Sequence, residues 1–194
     1  MAENTRQMGV AAVPDTDPAL GFPEPFTIHD FGGSPSEYVD CLYAEYRAMV
    51  DRADIRLWGK PLGSWAGTAK DGRDGLFWHL ITTGPAADRR LNLARCARLN
   101  LIRPMLVHLA HDNLRVCWWP QKLRHRRRWH LMVAPVDFTY VVVLREDPTC
   151  VLLSTAYPVG RRHRQRLMKR AAAAWIDCQS EKWRERPAVA QTAA

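Results

Sequence analysis

The chain has 194 residues, of which 47% are hydrophobic and 25% charged, which is ordinary for a globular protein with a hydrophobic core. Its formal net charge of +8 at pH 7 favours polyanionic partners such as nucleic acid or an acidic protein. Because no apolar stretch approaches the roughly 18 residues of a spanning helix, the sequence argues against a membrane protein.

The N-terminus and the cysteines predict a cytoplasmic protein. The first 21 residues lack the charged start and apolar centre of a secretory signal. The five cysteines are widely spaced and form no C-x-x-C pair, so we interpret them as reduced thiols. No histidine joins them at the spacing of zinc ligands, and the sequence predicts neither a metal site nor a cofactor.

The N-terminal part predicts a lead-in, a helix and a loop. Residues 1–34 are rich in proline and are expected to be extended or disordered. A helix is predicted over 35–53, because Ser34 and Pro35 suit a helix start and apolar residues follow at helical spacing. The glycine-rich segment 57–75 predicts a loop.

Three short segments lead to the second half of the chain. Residues 77–81 form an apolar run that is too short to distinguish a strand from a helical turn. A basic helix is predicted over 88–100, since Pro104 interrupts the pattern after it. A second short helix is predicted over 104–111.

The C-terminal half predicts a sheet followed by a basic helix over 160–183. Four short strands with short links are typical of an antiparallel meander. They are predicted at 114–119, 129–133, 137–144 and 150–157. The third strand has no polar side and is expected to be central and covered on both faces. The predicted fold is therefore α+β, with N-terminal helices packed on a four-stranded antiparallel meander, a single domain over 35–185 and a flexible tail over 186–194.

Five residues form a candidate catalytic set for RNA cleavage. Without a metal, this reaction needs a base, an acid and groups that stabilise the charged phosphorane. His79 suits either proton role, and Thr155 and Tyr157 lie two apart on a strand and share a face. Arg95 and Arg98 lie three apart on a predicted helix and match phosphate oxygens. The alternative for each residue is ordinary packing or a solvated surface.

Two clusters of basic residues predict contact with nucleic acid. They comprise Lys122, Arg124, Arg126, Arg127, Arg128, Arg161, Arg162 and Arg164. Tryptophans on the predicted strands could stack on bases beside them. Alternatively, the tryptophans belong to the core and the arginines only keep the protein in solution. Neither cluster predicts a sequence preference.

Four segments, in this order, resemble a family of small phage and genomic-island proteins. They are FWHLITTG at 77–84, ARCARL at 94–99, YVVVL at 140–144 and STAYPV at 154–159. The resemblance covers about 36–170. Two positions depart from the family pattern, since Ala97 replaces a glutamate and Ser154 a tryptophan.

That family is similar to the barnase–EndoU–colicin–RelE superfamily of metal-independent ribonucleases. The resemblance implies helices on a four-stranded antiparallel sheet, with His79, Thr155 and Tyr157 in the positions of the site. It implies an endoribonuclease of a mobile genetic element, such as a toxin or phage-conflict effector, that leaves a 2′,3′-cyclic phosphate. The alternative is a non-enzymatic basic protein that binds nucleic acid or an acidic partner, such as an antitoxin, as a regulator or defence inhibitor would.

Overall fold

The computed structural model describes residues 21–52, 54–65, 67, 69–85, 88–111, 115–122 and 129–178, and the backbone alone at 122, 129 and 175–178. Several sequence predictions therefore lie outside the described residues. They concern the first 20 residues of the lead-in, the side chains of Lys122, Arg124, Arg126, Arg127 and Arg128, and the tail at 186–194. The division into a lead-in, a single domain over 35–185 and a flexible tail stays a prediction.

The first half of the chain contains four helices and four short strands among the described residues, and four longer strands and a helix follow. The helices are α1 (Pro35–Asp51), α2 (Gly75–Ile81), α3 (Leu93–Cys96), α4 (Ile102–Ala110) and α5 (Arg161–Cys178), with 3₁₀ turns at Ile28–Phe31 and Leu99–Leu101. The strands are β1 (Arg56–Leu57), β2 (Lys60–Ser64), β3 (Thr82–Thr83), β4 (Arg90–Leu91), β5 (Val116–Lys122), β6 (Trp129–Pro135), β7 (Tyr140–Glu146) and β8 (Val151–Pro158).

Helix α1 begins where the sequence predicts it. The Ser34 side chain accepts a hydrogen bond of 3.4 Å from the Glu37 amide, and Pro35 occupies the first helical position. The preceding segment, residues 21–34, is packed on the protein. Phe22 is buried in the core, and the Phe26 amide donates to the Ala97 carbonyl at 2.8 Å.

The sheet confirms the α+β class but corrects the simple four-stranded meander. Strands β5 to β8 form the predicted antiparallel ladder, and β2 then adds to β8 in parallel, giving the order β1-β2-β8-β7-β6-β5. The predicted loop over 57–75 thus contains β1 and β2. The Lys60–Ser64 segment does not alternate polar and apolar residues, so its side chains do not predict a strand. It joins β8 through backbone pairing instead.

The predicted basic helix over 88–100 is wrong. Arg90–Leu91 forms β4, which pairs with β3, and a new helix starts only after Asn92. The Asn92 side chain accepts a hydrogen bond of 3.1 Å from the Arg95 amide and so caps the four-residue helix α3. The apolar segment at 77–81 belongs to helix α2.

The sheet has two covered faces, and β7 lies between them. Tyr140, Val142 and Leu144 point to the first face, where α1, α2 and α4 contribute to the main core. Val141 and Val143 point to the second face, where they share a smaller core with Leu167 and other residues. The expectation that this strand is central and covered on both sides is confirmed. None of the described helices is long and apolar enough to cross a membrane.

Candidate functional site

A cavity of about 860 Å³ lies on the second face of the sheet, with residues of α5 and α2 in its wall. Its polar lining is contributed by β5 to β8 as well as by these two helices. The polar side chains are His79, Gln121, His130, Arg145, Ser154, Thr155, Tyr157, His163 and Arg170. No carboxylate is present among the described residues of the wall, so the cavity is suited to an anionic ligand.

A β-bulge aims the last strand at the cavity. Thr155 pairs with Val143, whereas the next pair along the ladder is Leu153 with Leu144. Ser154 is therefore an extra residue on β8. Leu153 points into the first-face core. On a regular strand Thr155, two residues later, would point to that face as well. The bulge instead turns Thr155 into the cavity.

His79 reaches the cavity from helix α2. Strand β2 pairs with β8 only as far as Leu153, and α2 also packs against β8. The Trp65 ring lies edge-on to the His79 ring, with 5.9 Å between the ring centroids and an angle of 69°. The Trp65 indole N–H also donates to the Ser154 carbonyl at 3.4 Å. Trp65 thereby ties the histidine to the bulged strand.

Arg95 binds the C-terminal end of α2 and is not part of the described cavity lining. Its Nη1 donates to the carbonyl oxygens of His79, at 3.1 Å, and Thr82, at 3.2 Å. Carbonyls in the last turn of a helix have no partner within the helix, so a cation there stabilises it. Burial lowers the pKa of the Arg95 guanidinium, an effect opposed by nearby Tyr140 and Tyr157. Even so, the group stays cationic at neutral pH.

Tyr157 lines the cavity with a phenol whose pKa is raised. Burial raises the pKa of its phenol, and the positive charges of Arg95 and Arg170 oppose that shift without cancelling it. The phenol is consequently protonated at neutral pH and can act as a hydrogen-bond donor or an acid.

Helix α5 supplies one wall of the cavity with a single face. His163, Leu167 and Arg170 follow at helical spacing and all line the cavity. Two predicted nucleic-acid contacts, Arg161 and Arg162, are exposed on the same helix, and Arg164 is half-buried.

The cavity brings together three of the five predicted catalytic residues, namely His79, Thr155 and Tyr157. Arg95 and Arg98 are not among the described residues that line it. Helix α3 ends at Cys96, so the two arginines do not share the long helix that the sequence predicts.

Several other cavity residues have only weak signals in the sequence. The only sequence signal of His130 and Arg145 is that each is a polar residue in an apolar strand. His163 lies among arginines, a context that is typical of an exposed residue. Although three histidines line the cavity, no group of three or more histidine, cysteine, aspartate or glutamate side chains in the described part of the chain is placed to hold a metal ion.

Comparison of the chain with protein-family models, curated proteins and solved structures finds no match. The resemblance to the phage family and to the ribonuclease superfamily therefore stays a prediction.

Proposed function

We propose that the protein is a metal-independent endoribonuclease whose active site is this cavity. One observation carries the proposal: His79 lies in the same cavity as Thr155 and Tyr157, which are far from it in sequence. Arg145 and Arg170 add positive charge to the same wall. The cavity thus contains groups for proton transfer and for binding a phosphate. None of the described lining residues is a carboxylate that would repel the phosphate.

The reaction would proceed by attack of a ribose 2′-hydroxyl on the adjacent phosphorus. His79 takes the proton of that hydroxyl while the bond from the 2′-oxygen to phosphorus forms. Tyr157 gives its proton to the 5′-oxygen as the bond from phosphorus to that oxygen breaks, which leaves a 2′,3′-cyclic phosphate and a 5′-hydroxyl. Thr155 and Arg170 hold the charged phosphoryl oxygens. Arg95 acts indirectly, by positioning the helix that carries His79.

The test is cleavage of total RNA and transfer RNA by the purified protein in EDTA. His79→Ala and Tyr157→Phe should each lower the rate by about 10²-fold or more, the usual contribution of a general acid or base. His111→Ala serves as a matched control, since His111 is an exposed histidine outside the cavity. Tyr43→Phe is the control for the phenol.

The products decide between this enzyme and a contaminant. Cuts that end in a cyclic phosphate and disappear in both cavity variants support the proposal. Cleavage by His79→Ala at the wild-type rate would show that the proposed mechanism is wrong. The role in a mobile element, as a toxin or phage-conflict effector with an acidic antitoxin, rests on the sequence resemblance alone.

A second candidate function is nucleic-acid binding without catalysis. It is favoured by the exposed cations of α5, Arg161, Arg162, Arg166 and Lys169, none of which forms an ion pair with a described residue. A gel shift on intact RNA would support it if affinity fell steeply with salt. Replacing Arg161 and Arg162 by serine should then flatten the plot of log affinity against log salt by about 1.4 on single strands.

A further inference from the structure

Three polar residues form a row across neighbouring strands in the floor of the cavity. Gln121 of β5 lies opposite His130 of β6. The β6–β7 ladder pairs Leu131 with Leu144, and one further step of that register sets His130 opposite Arg145. All three side chains line the cavity, and His130 is only 2% exposed.

The two ends of this row carry buried polar atoms that lack partners. The side-chain oxygen Oε1 of Gln121 and the Nε of Arg145 are both buried, and neither has a hydrogen-bond partner among the described residues. One is an acceptor that needs a donor, and the other is a donor that needs an acceptor. Buried polar atoms are ordinarily satisfied, so this pair points to a ligand that supplies both kinds of group.

The chemistry of the row favours a nucleobase over a simple anion. A phosphodiester or an ionised carboxylate offers only acceptors and would leave the Gln121 oxygen without a donor. The edge of a nucleobase presents an N–H group beside a ring nitrogen or carbonyl acceptor, and arginine and glutamine are side chains that read such edges. Met132 and Val143 line the cavity near the row and offer apolar contact to the rings.

The position of the row also suits one nucleotide. Neighbouring strands lie about 4.8 Å apart, so β6 is about 10 Å from β8, which carries Thr155 and Tyr157. We propose that Gln121, His130 and Arg145 form a base-recognition subsite, which reads one unpaired base while its phosphate lies at Thr155 and Tyr157. This inference rests on the proposed ribonuclease function and adds a substrate class, RNA that is single-stranded at the cut.

The subsite is tested by binding, so that the test does not depend on cleavage. Calorimetry with the four nucleoside 3′-monophosphates should show a preference of about tenfold or more for one base. Gln121→Leu should abolish the preference while affinity for inorganic phosphate stays the same. Arg145→Met should abolish the preference and also weaken phosphate binding, because Arg145 adds positive charge to the cavity. Gln165→Leu replaces an exposed glutamine of α5 and should change nothing. Circular dichroism checks folding. If Gln121→Leu does not fold, Gln121→Asn replaces it, because the shorter side chain withdraws the amide from the row.

The outcomes separate the two proposals. Equal affinity for all four nucleotides, no binding of any of them, or a preference that survives Gln121→Leu would overturn the subsite. A protein that selects one base but leaves RNA intact in EDTA keeps the subsite and removes the ribonuclease. A protein that cuts equally after all four bases keeps the ribonuclease and removes the subsite.

Discussion

Thr155 of β8 lies opposite Val143 of β7. The next pair of the ladder is Leu153 with Leu144, so one step along β7 corresponds to two steps along β8. The extra residue, Ser154, reverses the alternation of side chains in the second half of the strand. As a result Ala156 enters the main core and Tyr157 contacts the second-face core and lines the cavity. The geometry of the candidate site depends on this single inserted residue.

Two single-residue deletions should therefore differ sharply. Removing Ser154 converts the ladder to one continuous register and keeps Thr155 and Tyr157 on the cavity face, so we expect cooperative unfolding to survive. Removing Ala156 keeps the bulge but turns Tyr157 toward the main core, so we expect cooperative unfolding to be lost. Thermal unfolding followed by near-ultraviolet circular dichroism measures both. Equal behaviour of the two deletions would mean that register does not control the face.

Arg95→Met should destabilise the protein through the end of α2. The substitution leaves the carbonyls of His79 and Thr82 without this donor, and the free energy of unfolding should fall by about 1–3 kcal/mol. RNA cleavage should fall by about 10²-fold through misplacement of His79, with little change in RNA affinity. Urea unfolding and single-turnover cleavage give the two values.

The matched control is Arg98→Met. Arg98 forms no hydrogen bond or ion pair with another described residue that would hold α2, so its substitution should leave both stability and cleavage close to wild type. A loss of cleavage in Arg98→Met alone would contradict this division and return Arg98 to the catalytic set.

The sequence predicts the regular parts of this protein because local signals agree there. Ser34 and Pro35 mark the start of α1, and the valines of β7 mark a strand that is covered on both faces. The site is only partly predictable. Thr155 and Tyr157 share a face, as their spacing predicts. The bulge at Ser154 decides which face of the sheet they occupy, and no local feature of the sequence reveals it.

Long-range pairing accounts for the parts that were missed. Strand β2 is stabilised by its backbone bonds to β8, a partner some 90 residues away, and its own side chains carry no strand pattern. Arg95 illustrates the same point on a smaller scale. Its spacing from Arg98 predicts a shared helical face, whereas its actual partners are carbonyls at the end of another helix.

Leu167→Ala should loosen the contact between α5 and the second face. Leu167 is 1% exposed and belongs to the second-face core, so truncation should lower the free energy of unfolding by about 3 kcal/mol. Its neighbour Met168 is 47% exposed, and Met168→Ala should change stability by no more than about 0.5 kcal/mol. Urea denaturation compares them. Equal effects would show that α5 does not pack on the sheet through Leu167.

Stability should fall in alkaline solution because of buried tyrosines. Burial raises the pKa of Tyr46 to about 12, and it also raises the pKa of Tyr38 and Tyr140. Above about pH 10 the unfolded chain releases these phenolic protons while the folded protein keeps them, so rising pH favours unfolding. The stability is thus fully present below pH 10 and is lost as the pH rises through the raised values.

For Tyr46 alone, the loss between pH 9 and pH 11 should be about 1 kcal/mol. Urea unfolding of the wild type at these two pH values measures the total fall, and Tyr46→Phe should show a smaller one, since phenylalanine has no proton to release. The same comparison between pH 7 and pH 9 should show no difference in slope between the two proteins. An equally steep alkaline fall in Tyr46→Phe would mean that this phenol ionises as readily in the folded protein as in the unfolded chain.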